Sequence, residues 1–471
     1  MPWATLYLLS EWIIRILMLI YVPQRRSAAA SRTWLLLIFL LPWPGLLLYA
    51  LLGRIYVSQK RLQLQFRSSR HIKHVQEHLS NLVSAESALP ENLQPIFSLA
   101  TQLGDFHPFA GNQVELLCDY SETIDRLLQD IDAAKHQIHL LFYIYATDAT
   151  GTRVTEALER AAARGVKCRV ILDAVGSKKA LRELRDRMHR SGIEIQAALP
   201  VGLFRRNAAR FDLRNHRKLA VIDGHIAYTG SQNIVDAEFI TGHPNEEMMA
   251  RVSGPVVAQL QGVFLADYFA ETGLSPTEVK LFPEVSLAGH SVAQTLPSGP
   301  GYQRENAHDL ILEMLYTARE RVVITTPYFV PDDAVLIAIR AARRRNVDVR
   351  LVVSERSNHR VTQLAQESYY DDLLEFGVGI YLYKPRLLHA KHISIDDGIV
   401  FLGSTNMDIR SFALNAELNL LVYDPEVVAK LRSVQERYFA NSRQLLGKEW
   451  NQRPLFSRVL QNTARLADSL L

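Results

Sequence analysis

At 471 residues the chain is long enough for about two to four domains. With 48% hydrophobic against 22% charged residues it buries large cores, which excludes a disordered chain. A net charge of +4 is too mild for a nucleic-acid coat, and two cysteines, Cys118 and Cys168, exclude a disulfide framework and a cysteine-based metal site.

The first 53 residues differ from the rest. Trp34 to Leu52 carries no charge and is long enough to cross a bilayer, with Pro42 and Pro44 implying a kink or a re-entrant turn. Leu6 to Tyr21 is a weaker span, interrupted by Glu11 and Arg15, which are spaced to pair across one helical turn. A cleaved signal peptide is the rival reading, since SAAAS follows at Ser27–Ser31, but the start lacks a basic region and the apolar run contains charges. A membrane anchor of two passes, or a re-entrant hairpin, is expected. Arg25, Arg26 and Arg32 lie between the segments. Arg54, Lys60, Arg61, Arg67, Arg70 and Lys73 follow them, with no acid before Glu77. The larger basic group argues for a cytoplasmic catalytic part, and a re-entrant hairpin would remove the conflict with the first group. The same stretch reads equally as an arm drawn to anionic headgroups or as a solvated linker helix.

From about Asp105 strands and helices alternate. Strands are predicted at 114–118, 137–145, 167–172 and 193–197, with helices at 122–134, 151–164 and 179–191. The pattern then repeats, with helices at 307–318, 333–344 and 363–376 and strands at 321–326, 348–353 and 378–383. RGVKCRVILD in the first half parallels RNVDVRLVVS in the second. Two homologous α/β halves are expected, joined across a loop from Ser275 to Gly301.

Each half ends in the same motif. HRKLAVIDGHIAYTGSQN runs from His216 to Asn233 and HAKHISIDDGIVFLGSTN from His389 to Asn406. Both read H-x-K-x-x-x-x-D followed by G-S-x-N at one offset. A single match would arise by chance at odds of roughly a few per cent, two with the same tail would not. Residues two apart on a strand share a face, so His216 and Lys218 point together, as do His389 and Lys391. Asp223-Gly224 is a hairpin signal that would bring Ser231 opposite His216, and the Asp396-Asp397-Gly398 turn would bring Ser404 opposite His389, with one loop residue in doubt. Each copy thus offers an imidazole, an ammonium, a hydroxyl and an amide. Imidazole acts as nucleophile or general acid/base, and the other groups donate to phosphate oxygens. Asp223 and Asp396 fall at the far end of the hairpins, in a supporting place.

These paired motifs, with RNHRKLAVIDG, TGSQN, TPYFVPDD and the hydrophobic amino-terminal region, resemble the phospholipase D superfamily and, within it, the bacterial cardiolipin synthases, over essentially the whole chain. The resemblance implies an α/β fold of two phospholipase D-like halves forming one cleft, preceded by a transmembrane or re-entrant helical hairpin. The expected divisions are an anchor at 1–60, a basic linker at 61–104, a first half at 105–285 and a second at 286–471 with a helical tail. It implies a catalytic set of His216, Lys218, Asp223, His389, Lys391 and Asp396, with Ser231, Asn233, Ser404 and Asn406 on the phosphate. Glu247 and Glu417, each two places after an Asn, would orient the histidines, with Glu246 an alternative to Glu247. His225, His243, His359 and His392 fall outside the matched positions and are expected at the surface or a pocket rim.

The implied reaction joins two phosphatidylglycerol molecules into cardiolipin and glycerol through a phosphohistidine, in a bacterial plasma membrane. The order of the histidines is open, and a hydrolase releasing phosphatidic acid or a synthase using phosphatidylethanolamine are alternatives. Partners would be phosphatidylglycerol and other anionic phospholipids at the membrane, without nucleic acid. No cofactor and no metal are expected. H-E-x-x-H and P-loop patterns are missing, and His71, His74 and His78 fit a polar helix face better than a metal site. Trp450 to Leu471 has apolar residues at helical spacing, suited to a membrane interface.

Overall fold

The computed structural model describes residues 3–26, 28–53, 61, 63–64, 84–85, 89–201, 212–239, 243–274, 281–284, 286–299, 301–302, 305–357 and 359–466. The basic stretch 54–73, apart from residues 61 and 63–64, and the set His71, His74 and His78 lie outside them.

The amino-terminal unit consists of α1 (Trp3–Tyr21), α2 (Ala28–Leu40) and α3 (Pro42–Leu52). Leu41 leaves the helical region (φ −132°, ψ 80°), and Pro42 and Pro44 have no N–H to continue the ladder. The chain therefore turns back on itself. Trp34 and Tyr49 meet edge to face at 5.3 Å, and Arg26 Nε donates to Gly53 O at 2.6 Å. Gly45 lies so close that a Cβ there would stand 2.8 Å from Ile38 Cα. The expected long span is thus two antiparallel helices of about 20 and 16 Å, too short to cross the roughly 30 Å hydrocarbon layer. The ranking of the two segments reverses. Among the described residues only Trp3–Tyr21 is long and apolar enough to cross a membrane by length and composition. Its Glu11 and Arg15 do pair, at 3.4 Å, and Arg15 Nε also donates to Phe39 O at 3.2 Å.

Among the described residues the larger unit is built on one 15-stranded sheet and two separate two-stranded ladders. Its first half contributes β1 (Phe109–Leu117), β2 (Gln137–Phe142), β3 (Lys167–Asp173), β4 (Glu194–Ala198), β5 (Lys218–Ile222), β6 (Ile226–Gly230), β7 (Asn245–Glu246) and β8 (Met249–Ser253). The second contributes β9 (Ser291–Ser298), β10 (Arg321–Thr325), β11 (Phe329–Val330), β12 (Asp348–Ser354), β13 (Gly379–Tyr383) and β14 (Leu387–Leu388). It continues with β15 (His392–Ile395), β16 (Ile399–Gly403), β17 (Met407–Asp408), β18 (Glu417–Tyr423) and β19 (Ser442–Gln444). Outward from the antiparallel pair β1–β9, the order 1-8-6-5-2-3-4 on one side matches 9-18-16-15-10-12-13 on the other. That is the duplication seen in the sequence, laid out about a pseudo-two-fold seam. The parallel strands are sheathed by helices such as Ala149–Ala163 and Asp333–Arg344, whose N-caps Asp148 and Asp332 accept from Gly151 N (2.9 Å) and Val335 N (3.1 Å).

Three expectations change. The presumed loop from 275 to 301 holds β9, a strand at the centre of the sheet. Pro297 hid it, since proline is disfavoured in interior strands, but β1 pairs only with the Ser291–Ala293 end, so Pro297 faces a neighbour on one side only. Helices foreseen at 179–191 and 363–376 are each broken in two, at equivalent places in the two halves. The buried helix Val256–Thr272 was missed because it is apolar nearly all round, with Leu260, Val263 and Phe264 wholly buried, and shows no amphipathic period.

Candidate active site

Each histidine is delivered by a short crossing between the halves. β14, ending one residue before His389, pairs in parallel with β7, so that Leu388 lies beside Glu246. Asn215 likewise forms a parallel bridge with Ala416. His389 N donates to Glu246 O at 2.8 Å, and His216 N to Ala416 O at 2.8 Å. Each histidine is thereby held one residue away from the glutamate of the opposite half.

The resulting pairs are crossed. His216 Nδ1 lies 2.9 Å from Glu417 Oε2, and His389 Nδ1 lies 2.7 Å from Glu247 Oε1. Each acid therefore serves the histidine of the opposite half. Glu246, the alternative, faces Arg386 and Arg437 instead. Asn415 and Asn245 donate to the same two carboxylates at 3.3 and 3.4 Å, which accounts for the Asn two places before each glutamate.

Electrostatics follow from burial. Burial pushes Glu417 and Glu247 up, but the facing histidine and lysine outweigh it, so both remain below the ordinary carboxylate value. Burial lowers His216 to about 4 against the pull of Glu417, and His389 moves the same way against Glu247. Each pair therefore rests as neutral imidazole on carboxylate. The Nδ1 proton goes to the carboxylate, and the Nε2 lone pair is left for chemistry. Lys218 and Lys391 are wholly or nearly buried, and each Nζ donates to the backbone oxygen of its own histidine, at 2.7 and 2.5 Å. Burial lowers them to about 7 and about 8. Lys391 acts on His216 and Lys218 on His389, so the two motifs share one electrostatic site.

The remaining motif residues fall into place around this centre. Both hairpins have three-residue turns, pairing Ile222 with Ile226 and Ile395 with Ile399, so the serines fall one register from the places expected opposite the histidines. Asp223 and Asp396 open these turns with positive φ (53° and 48°) and do not touch the histidines. Asp223 accepts from the N–H groups of Lys135, His136 and Gln137 (2.7–2.9 Å), and Asp396 from those of Arg319, Glu320 and Arg321. Neither aspartate is positioned as a reacting group.

Ser231 and Ser404 do not present free hydroxyls to a phosphate. Both are fully buried, and their Oγ atoms accept from Met248 N (3.0 Å) and Leu418 N (2.9 Å), the residues directly after the two glutamates. The preceding glycines explain the Gly-Ser pair: a Cβ at Gly230 or Gly403 would stand 2.3 Å from the carbonyl oxygen of Met248 or Leu418. Asn233 Oδ1 accepts from Ile144 N at 3.1 Å, while Asn406 Oδ1 is buried without a protein partner.

The spacing did not reveal the supports behind His216. Arg214 and Asn215 N bind Asp173 (3.2 and 2.9 Å), and Asn215 Nδ2 and Arg217 bind Asp267 (3.0 and 2.5 Å). Arg217 Nε also donates to Glu417 O at 3.0 Å. At the equivalent place the second half has Ala390. Tyr143 stands edge-on to His216 at 4.9 Å, with Lys218 Nζ 5.5 Å from its ring centre. His392, expected near the surface, is instead a core residue against Tyr438, and burial lowers it to about 3. His225, His243 and His359 are exposed as expected. Among the described residues, no group of three or more His, Cys, Asp or Glu is arranged to hold a metal ion.

A duplicated α/β sheet that presents two histidine–glutamate pairs and two buried lysines at one seam defines a phosphodiester-transfer site of the paired-histidine kind. A family model described as cardiolipin synthase, PLD-like domain, matches residues 127–268 and 311–439. Cardiolipin synthase A of Yersinia pseudotuberculosis serotype O:1b (strain IP 31758) is 36% identical over 467 residues, covering 96% of this chain and 94% of that protein. Cardiolipin synthase A of Yersinia pestis matches equally well. The solved phosphatidylserine synthase of Haemophilus influenzae Rd KW20 shares the fold, at TM-score 0.62 and 16% identity over 80% of this chain and 99% of that one. The chain belongs to the cardiolipin synthase family of phospholipase D-like phosphatidyltransferases.

Proposed function

We propose that the chain makes cardiolipin from two molecules of phosphatidylglycerol, with one crossed histidine–glutamate pair as nucleophile and the other as acid and base. The observation that carries this reading is the crossed pairing itself, which leaves two neutral imidazoles with free Nε2 atoms beside two lysines. In the first step, one histidine Nε2 attacks phosphorus. The bond from phosphorus to the glycerol headgroup breaks, and the other histidine, which has first taken up a proton from solvent on its free Nε2, gives that proton to the leaving glycerol oxygen. That histidine, now neutral, then takes the proton from the hydroxyl of a second phosphatidylglycerol. The hydroxyl oxygen attacks phosphorus, the P–N bond breaks, and cardiolipin leaves. We assign the attack to His216 and the proton transfers to His389, an order that the reverse assignment would satisfy equally.

In this reading, Lys218, Lys391, Asn233 and Asn406 hold the phosphate oxygens. Glu417 and Glu247 orient the imidazoles, and Ser231, Ser404, Asp223 and Asp396 support the strands that carry them. Residues 1–60 anchor the chain, with α1 crossing the bilayer once and α2–α3 dipping in and returning, and 105–285 and 286–471 supply one histidine each. That topology puts Arg25, Arg26 and Arg32 on the same side as the basic stretch after Gly53, consistent with a cytoplasmic catalytic part in the bacterial plasma membrane.

The test is a lipid assay on purified protein in detergent–phospholipid micelles containing EDTA, with products separated by mass spectrometry. Cardiolipin and glycerol from phosphatidylglycerol, absent with His216→Ala, is the expected result. Phosphatidic acid alone would make the enzyme a hydrolase. Product only after adding phosphatidylethanolamine would change the second substrate.

A further inference from the structure

The helix Leu455–Arg465 is turned inside out relative to a helix that packs on a protein core. Its polar side faces the domain. Arg453, just before it, binds Asp371 (3.0 Å) and Gln461 Oε1 (2.9 Å), and Gln461 Nε2 donates to Glu367 at 2.9 Å. Arg465 binds Asp372 at 3.2 Å and lies 4.3 Å from the Tyr369 ring centre. Its apolar side faces outward: Leu455 is 75% exposed, Phe456 72% and Leu466 76%, with Val459 and Leu460 beside them. Four contacts to the domain, at Glu367, Asp371, Asp372 and the Tyr369 ring, fix this orientation, so the exposure is built in and does not reflect a loosely attached tail.

The surroundings indicate what covers it. Residues 451–466 contain three arginines, Arg453, Arg458 and Arg465, and no acid; Arg453 and Arg465 pair with Asp371 and Asp372 of the domain, and Gln461 with Glu367. An apolar stripe on a segment that carries arginine and no acid suits an anionic lipid surface, with Arg458 the arginine beside it that Asp371 and Asp372 do not engage. The helix also sits on Arg360–Ser368, whose Val361 adds 53% exposed apolar surface. Gln366 of that helix accepts from Phe329 N at 2.8 Å, in the strand paired with Met407, next to Asn406.

We propose that Leu455–Arg465 is a membrane-docking helix that seats Leu455, Phe456, Val459 and Leu466 in the interface of an anionic bilayer and holds the second motif's side of the catalytic unit against it. This rests on the proposed function only in taking the bilayer as the source of substrate.

The test uses the full-length chain in vesicles of equal parts phosphatidylglycerol and phosphatidylcholine. Nitroxide labels are placed singly on Phe456→Cys, Val459→Cys and, as an aqueous reference, the exposed Asn451→Cys. The native thiols compete weakly, since Cys168 is buried and Cys118 half-buried. Collisions with oxygen several-fold above those with a water-soluble nickel chelate at 456 and 459, and the reverse at 451, are expected. Equal nickel access at all three positions would overturn the proposal. So would label–label broadening at 456 that persists on dilution with lipid, which would make a second copy the occupant. The readout needs no turnover, so a failed cardiolipin assay and a failed docking helix are separable results.

Discussion

Glu417 contacts His216 although 201 positions separate them in the chain, and its proposed role is to orient that imidazole. Glu417→Gln keeps the shape but removes the charge that orients the imidazole and stabilises it once protonated. By the precedent of carboxylate–histidine pairs in hydrolases, kcat should fall on the order of 10²–10⁴-fold, read from initial rates of cardiolipin formation; a loss under about tenfold would remove Glu417 from that role. The lysines make a second prediction. Burial lowers Lys218 to about 7 and Lys391 to about 8, so the free enzyme loses the charges proposed to bind phosphate as pH rises through that range, well before the ordinary lysine value. The sign is therefore a decline of kcat/KM on the alkaline side beginning between 7 and 8. A flat profile to pH 9 would show that the lysines stay charged.

At the scale of elements, the two hairpins are pinned at both ends by contacts remote from the chemistry. Asp396 gathers three N–H donors at the start of β10, two of them exposed and that of Arg321 part-buried, so Asp396→Ala removes their charged acceptor and should destabilise by roughly 1–2 kcal/mol. A lowered Tm with KM nearly unchanged in the surviving folded protein is the expected pattern; a raised KM at unchanged Tm would instead assign Asp396 to substrate. At the other end, Gly403→Ala drives a methyl into Leu418 O and displaces the segment that carries Glu417. That substitution should cost about 1–3 kcal/mol and also depress kcat, whereas Gly447→Ala, where a Cβ would meet nothing and the backbone is likewise not left-handed, gives a control without the clash.

For the whole molecule, the exchange of glutamates makes neither half complete. A protease site inserted near residue 285 should give a nicked enzyme that stays active, because β1–β9, β7–β14 and the Asn215–Ala416 bridge hold the halves together without the connecting peptide. Size-exclusion chromatography after nicking should show one species. Halves separated in denaturant and refolded apart should lack activity, and mixing them should restore it; an active isolated half would contradict the crossed arrangement. At the amino terminus, cysteines at Arg25 and Arg54 should react with an impermeant maleimide from the same membrane face if α2–α3 is re-entrant, and from opposite faces if it crosses.

Much of this was legible from local pattern alone. The repeat of His, Lys, Asp, Gly-Ser and Asn fixed two equivalent sites, and the strand–helix alternation fixed two α/β halves, because side-chain periodicity and turn chemistry act over a few residues. The far-end place of the aspartates and the pairing of Glu11 with Arg15 were readable for the same reason. What the residues could not show locally is which partner comes from 200 positions away. The exchange of Glu247 and Glu417, the one-residue change of hairpin register, the burial of Ser231 and Ser404, the strand at Ser291–Ser298 and the folding back of α3 onto α2 were all decided by tertiary packing. Burial also decided the charge states, since only the closed seam lowers His216 and the lysines far from their ordinary values.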